Sequence, residues 1–248
     1  MQSPLARKLA HYVVLDAEEL AALETFQRHP HVIAAGTELA WEGQVGQRAF
    51  ILSSGWVSSF KSLPDGSRQI IDFQVPGDFI GVRNILFRTS EHSFETITDV
   101  TLSEVSVVDL FDVFAAAPRL ATAILWALSC EEAMVVEHLV DLGRRSALVR
   151  TAHFLLELGA RLRLVGLASP DGYACPLTQY LLADALGLSA IHLNRVLRQL
   201  RENGLLTFRE GSVRFDNLDA LVGLAEFDMA YLMESGPMLQ RRRPVGVD

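Results

Sequence analysis

No stretch of about eighteen uninterrupted apolar residues occurs in the 248-residue sequence, so no membrane-spanning helix is expected. The start, "MQSPLARKLAHYVVLDAEEL", has basic residues but only a short apolar core before Asp16, which does not fit an export signal. A cytoplasmic protein is expected. There are only two cysteines, Cys130 and Cys175, far apart, without a CxxC or a histidine at ligand spacing. That excludes a zinc-site pattern and fits free thiols in a reducing compartment. GxSxG, HExxH, GxxxxGK[ST] and DxDxG are all missing, so no local catalytic signature is present and no enzyme is expected. The paired acids Glu131-Glu132 lie on a helical pattern, where solvated or interfacial roles are the commoner use.

Net positive charge is also lacking: the formal charge is −8. The average hides a division, because residues 144–214 hold ten basic against five acidic side chains. Residues 1–143 hold nine against nineteen, and residues 215–248 three against six. Such segregation assigns the 144–214 segment to a polyanion, although a solvated helix face also collects arginines. Half of the residues are apolar, enough for one large or two modest packed domains.

What is present falls into three textures. Asp16 and Glu19 form a capping-box pattern for a short helix with Leu20 and Leu23 inward. From Ile33 to about Asp109, β-prone runs such as "AFILSSGWVSSF", "RQIIDFQV" and "TLSEVSVVDL" alternate with glycine turns, including Gly36, Gly43, Gly46, Gly55, "PDG" and "PGD". Many short strands at this spacing predict an antiparallel β-sandwich or roll. After Pro118 the pattern turns helical, and Leu125, Leu128, Glu132, Val135, Leu139 and Leu142 follow a heptad seam with one polar member. Further apolar residues widen the surface, so one face is expected on the roll and the other on a second copy; a helix buried within one chain is the alternative. "GRRS" at Gly143 to Ser146 then breaks the pattern, and Ser146 can cap a helix through about Leu164. "ASPDGYACP" reads as a loop, and Pro176 and Thr178 start a helix ending at Ala185 or Leu186.

In "LGLSAIHLNRVLRQL", Gly187 supplies a tight turn and Ser189 a helix N-cap, which together make a helix-turn-helix pattern. Leu193, Val196, Leu197 and Leu200 recur at i, i+3, i+4 and i+7 and define the core face. The opposite face carries Ile191, Arg195, Arg198 and Glu202, flanked by His192 and Asn194. An isoleucine early in a groove-lying helix suits the thymine methyl group, and Arg195 one turn later can reach guanine or phosphate. The following "ENGLLTFREGSVRF" reads as a hairpin, Leu205 to Phe208 and Val213 to Phe215, which completes a winged helix. The tail continues as an amphipathic helix through Leu218, Leu221, Val222, Ala225 and Met229. The run Arg241 to Arg243 is either a phosphate contact or a disordered charged end.

This order of parts resembles the CRP/FNR family of bacterial transcription regulators over roughly Ile33 to Phe215. The resemblance rests on "AAGTELAWEGQVGQRAFILSSGWV", "PDGSRQIIDF", "VPGDFIG" and, above all, "LGLSAIHLNRVLRQL" followed by "ENGLL". Together with the helices read at the two ends, it implies an α+β protein: an N-terminal helical segment (1–30), a jelly-roll-like β-roll of the cyclic-nucleotide-binding type (31–115) and a dimerisation helix (116–143). A winged helix-turn-helix (146–215) and a helical tail (216–248) follow. It also implies a homodimer on near-palindromic double-stranded DNA, with RNA polymerase as a further partner to consider. The base-reading positions would be Ser189, Ala190, Ile191 and Arg195, with Thr178, His192, Asn194 and Arg198 nearer the backbone. The family switches by moving its DNA-binding domains about the junction, here near Leu142 to Ser146.

The effector pocket departs from the cyclic-AMP-binding members. Where they hold the ribose with a glutamate after the turn glycine, Val82 follows Gly81, and where they grip the phosphate with Arg-Ser, this chain has His92-Ser93. The helix positions that offer Thr-Ser to the base read Val135-Val136. Valine accepts no hydrogen bond and histidine is a fractional cation, so the effector is expected not to be cyclic AMP. Arg83 or Arg88 are the arginines near enough in sequence to substitute. No cysteine precedes Cys130, which argues against the iron–sulfur sensor. His11, His29, His31 and His92 keep haem as a lesser alternative, and no cofactor or metal is expected. A ligand-binding or interaction module that no longer contacts DNA is the competing reading of the whole chain.

Overall fold

The computed structural model describes residues 2–46, 48–87 and 89–233. Arg88 and the Arg241 to Arg243 run therefore lie outside the described residues. Ser3 caps α1 (Pro4–Ala10), which buries Leu5 and Leu9. α2 (Ala17–Thr25) opens with the expected capping box: the Glu19 amide donates to Asp16 Oδ1 and the Asp16 amide to Glu19 Oε2, both at 2.9 Å.

The roll comprises β1 (Pro30–Ile33), β2 (Glu38–Ala40), β3 (Ala49–Ser54), β4 (Val57–Ser62), β5 (Arg68–Gln74), β6 (Phe79–Ile80), the short α3 (Val82–Leu86), β7 (Ser93–Thr96) and β8 (Val100–Val105). Its two antiparallel sheets have orders β1-β8-β3-β6 and β2-β7-β4-β5. Phe50, Leu52, Val57, Ile80, Phe94 and Leu102 pack as one core cluster of this roll. Gly55 links β3 to β4 at φ +85°, where a β-carbon would overlap the Asp99 carbonyl oxygen.

The expected strand "TLSEVSVVDL" is corrected at its second half. β8 stops at Val105, and Ser106 opens α4 (Val107–Ala116) through a capping box with Asp109. The β-branched pair Val107-Val108 fits either state, and the cap decides it. α5 (Pro118–Arg144) follows, burying Leu120, Ala123, Ile124, Ala127 and Met134. Its heptad residues Leu125, Val135, Leu139 and Leu142 stand exposed.

Ser146 accepts from the Val149 amide and caps α6 (Ala147–Leu164). The segment expected as a loop instead pairs as β9 (Ala168–Ser169) and β10 (Gly172–Ala174), which Gly172 permits because a β-carbon there would overlap the Val213 carbonyl. α7 (Gln179–Leu186), α8 (Ala190–Glu202), β11 (Leu206–Arg209) and β12 (Ser212–Phe215) complete a winged helix whose sheet runs β11-β12-β10-β9. The wing turn is tighter than expected: Arg209 pairs with Ser212, and Glu210 and Gly211 both take positive φ. That is the geometry of a two-residue hairpin turn. The expected tail helix is also broken. Asn217 caps α9 (Leu218–Ala225), Glu226 turns left-handed at φ +50°, and α10 (Ala230–Met233) begins beyond Met229.

The winged helix is docked on its own roll. Trp56, Ile70, Phe73 and Val75 belong to the same core cluster as Phe154, Leu158, Leu182 and Leu186. Phe73 and Phe154 meet edge to face at 6.0 Å between ring centroids.

Candidate functional site

The helix-turn-helix is assembled by local rules. Thr178 accepts from the Leu181 amide and caps α7, Gly187 ends it at φ +60°, and Ser189 accepts from the His192 amide at 3.2 Å to start α8. Leu193, Val196, Leu197 and Leu200 are buried, as their spacing requires. Ile191 is 75% exposed, and His192, Asn194, Arg195 and Arg198 are exposed with it. Thr178 and Ser189 are also exposed at the two cap positions, and Ala190 is half-buried.

Ala190, Ile191, Asn194, Arg195 and Arg198 share an open groove of about 420 Å³ with Gln179 and Tyr180 of α7. Those last two residues were not picked out from the sequence. Gln179 Oε1 accepts from Asn194 Nδ2 at 3.0 Å and so ties the two helices together, while Tyr180 is largely exposed at the rim. The first turn of a helix that precedes a recognition helix is the signal that would have found them.

A second hollow, of about 480 Å³, lies between the roll and α5. Gly81, Val82, Arg83, His92 and Val135 line it, as expected. Ser93 does not: its Oγ accepts from the Glu42 amide at 3.1 Å. Val136 is exposed and also outside the lining. Asp72, Gln74, Glu91, Glu131, Glu132 and His138 supply the polar wall that the sequence reading did not foresee. Burial, together with the nearby Arg83 guanidinium, pushes the His92 imidazole below its ordinary range. His92 is therefore a poor replacement for a phosphate-gripping arginine. Among the described residues no cluster of three metal-ligating side chains occurs, and His11 is engaged with the Leu164 carbonyl at 3.1 Å.

Two groups of this wall hold the winged helix. Asp72 accepts from Arg161 of α6 at 2.7 and 3.1 Å, and Arg161 also donates to Asp78 at 2.8 Å and to the Phe73 carbonyl at 2.9 Å. Lys8 of α1 donates to the other oxygen of Asp78 at 2.7 Å. Burial would raise Asp78, but Lys8 and Arg161 hold it below the usual carboxylate range. His138 of α5 contacts Glu157 of α6 through Nε2 at 2.9 Å and the Ile71 carbonyl through Nδ1 at 3.3 Å. Burial disfavours the imidazolium, yet Glu157 and then Asp72 raise its pKa to about 9. Tyr231 of α10 donates to the second Glu157 oxygen at 2.8 Å. At the junction, Arg145 is clamped to Glu137 and Asp141 of α5 at 2.8 and 2.9 Å.

Comparison with known proteins matches this division. A cyclic nucleotide-binding domain model matches residues 30–117, and a Crp-like helix-turn-helix domain model matches residues 149–224. The nitrogen fixation regulation protein FixK of Azorhizobium caulinodans is 34% identical over 195 residues, covering 77% of this chain and 75% of that protein. The FixK of Bradyrhizobium diazoefficiens is 31% identical over 202 residues, covering 80% and 82%. The solved structure of FixK2 from Bradyrhizobium japonicum superposes with a TM-score of 0.70 at 27% identity, over 79% of this chain and 96% of that one. The roll, the long helix and the winged helix with its exposed α8 face define a winged-helix regulator with a cyclic-nucleotide-binding-type domain. The chain belongs to the CRP/FNR family of transcription regulators. Among the described residues no helix is long and apolar enough to cross a membrane.

Proposed function

We propose that the protein is a homodimeric, sequence-specific transcription regulator of the cytoplasm. It reads near-palindromic duplex DNA with α8 and is governed by an effector other than cyclic AMP. The observation that carries the DNA reading is the sorting of α8, with four core residues buried while Ile191, Asn194, Arg195 and Arg198 share the open groove. In this reading residues 146–215 bind DNA, residues 31–115 sense, and residues 116–143 dimerise. Gly81, Val82, Arg83, His92 and Val135 belong to the effector pocket, which offers no glutamate at position 82 for a ribose hydroxyl. RNA polymerase is the partner through which such a protein would act on a promoter.

Selection from random duplexes tests this reading. A near-palindrome with half-sites one helical turn apart should be enriched, and its affinity should fall on the order of a thousandfold between 50 and 200 mM salt. Enrichment of no motif by the folded protein would sink it. The dimer is tested separately at Leu139, which is 70% exposed on the heptad seam of a single chain. Leu139→Glu puts two carboxylates into an apolar seam, so the variant should sediment as a folded monomer where the wild type sediments as a dimer.

A further inference from the structure

The two terminal helices meet beside the last turns of α6. α1 precedes the matched cyclic nucleotide-binding domain, and α10 follows the matched helix-turn-helix domain. The last carbonyls of a helix have no partner within it, and at α6 the N-terminal segment supplies one. Arg7 Nη1 donates to the Val165 carbonyl at 2.8 Å, and His11 Nε2 lies 3.1 Å from the Leu164 carbonyl. The guanidinium also sets a positive charge at the negative end of the α6 dipole. Gly77, in the PGD turn of the roll, lets both elements come close: a β-carbon there would meet Val165 at 3.0 Å and the Pro4 backbone at 3.1 Å. Lys8 and Arg161 then share Asp78, one carboxylate oxygen each. From the other terminus, Glu226 takes φ +50°, in the left-handed region that non-glycine residues seldom adopt, and the chain turns back onto α5. Leu232, 2% exposed, packs there with Met134 of α5 and Ala160 of α6. Tyr231 donates to Glu157 at 2.8 Å while its ring stacks on His153 of α6 at 6.3 Å. Tyr12 Oη joins the two ends by donating to the Leu232 carbonyl at 3.2 Å.

We propose that residues 4–12 and 227–233 form a two-ended strap that fixes the winged helix in a DNA-competent orientation, which makes the chain ends determinants of half-site spacing. The inference rests on reading α8 as the helix that contacts DNA. The strap holds α6 and leaves the reading surface open: among the described residues, the groove beside α8 is lined by α7 and α8 alone. A dimer on a near-palindrome must place its two reading helices about 34 Å apart. A winged helix that swivels about residues 143–146 gives up orientational freedom at each half-site and accepts altered spacings. One already held gives up less and accepts fewer. The edge-to-face contact of Phe73 with Phe154 belongs to a broad apolar interface, which is non-directional and tolerates a small rotation. The strap's hydrogen bonds weaken steeply with angle, so they set the orientation within it.

The test compares the full-length wild type with Tyr12→Phe/Leu232→Ala and with Tyr231→Phe, changes that leave the charge unaltered and so remove no phosphate contact. Each protein is titrated with the duplex selected by the wild type and with duplexes whose half-sites are moved one base pair closer or further apart. The double variant should bind the selected duplex about fivefold more weakly or worse, and its preference over the shifted duplexes should shrink by about the same factor. Tyr231→Phe should move both quantities in the same direction. A merely destabilised winged helix would lose affinity for all three duplexes alike and keep the preference. Trypsin cleavage after Arg144 and Arg145 of the native protein reads the strap without DNA, and should be about tenfold faster in the double variant. An unchanged spacing preference or an unchanged cleavage rate overturns the proposal, and so does tighter binding by the double variant, which would make the strap a brake. Wild-type DNA binding with any of those results refutes only this inference. A wild type that binds no duplex refutes the regulator and with it the role in spacing, while the cleavage rates still decide whether the strap fastens the domains.

Discussion

Arg195→Ala should weaken binding to the selected duplex by roughly 5- to 150-fold, the equivalent of about 1–3 kcal/mol for one good side-chain contact to a base edge. The side chain is exposed on the face of α8 opposite the buried Leu193, Val196, Leu197 and Leu200, so the melting temperature should not move. The form of the loss identifies the contact. If Arg195 reads a base, preference at one position of each half-site relaxes while the salt dependence stays close to wild type. If it holds phosphate, affinity drops evenly across sequences and the slope of log K against log salt falls by about one per contact. Ile191 lies one turn earlier in the same groove, where its side chain suits the methyl group of thymine. Ile191→Ala should therefore flatten the preference for an A·T pair at a neighbouring position. Unchanged affinity and unchanged preference in Arg195→Ala would remove α8 from the groove.

The helix-turn-helix was legible in the sequence because every rule that builds it is local. A 3.6-residue period, one glycine that takes a left-handed turn and one serine that caps the next helix all act within fifteen residues. The same holds for the capping box of α2 and for the cap at Ser146. Misreadings arose where two local states are close in energy. "SVVDL" is as good a strand as a helix until Ser106 and Asp109 close their box, and "ASPDGYAC" becomes a hairpin only because β12 offers β10 an edge. The roll's turns were visible as glycines, but the polar wall of the cavity was not. Asp72, Gln74 and His138 come from β5 and α5, and nothing in their own neighbourhoods announces that they meet.

The least legible feature was the docking of the winged helix on the roll. Arg161 finds Asp72 and Asp78 across more than eighty residues of chain, and in sequence it is one more arginine in a basic segment. Segregated positive charge therefore has two uses here. Arg195 and Arg198 stand free on the surface, while Arg161 is spent inside the molecule against acids of the other domain. The hollow between the roll and α5 and the docking contacts share Asp72 and His138. Whatever occupies the cavity thus touches the groups that hold α6, and Arg145 and the capped Ser146 mark the junction about which α6 would turn.

The pH dependence of stability follows from the same contacts. His138 touches acceptors on both sides, Glu157 and the Ile71 carbonyl, and only the imidazolium donates to both. The groups facing it are Glu157 and Asp72, which favour the charged form, and Arg161, which opposes it along with burial; the outcome is a pKa of about 9 against an ordinary 6.5. A group raised on folding contributes stability that is complete below its unfolded pKa and is lost as pH rises through the folded one. Between pH 6.5 and about 9 this histidine should therefore withdraw roughly 3 kcal/mol. Glu131, raised by burial to about 7, contributes a loss of the same sign, but between about pH 4.5 and 7. Burial also raises the thiols of Cys130 and Cys175, the latter to about 12, which adds a loss of the same sign as pH approaches 9 and beyond. The limb from pH 7.5 to 8.5 consequently belongs to His138 and is read by urea unfolding at quarter-unit steps. His138→Gln keeps a donor for Glu157 but removes the titration, so its stability should be lower at pH 6.5 and nearly flat from 7.5 to 8.5. A variant that kept the wild-type slope there would show that the α5–α6 contact does not carry the charge assigned to it.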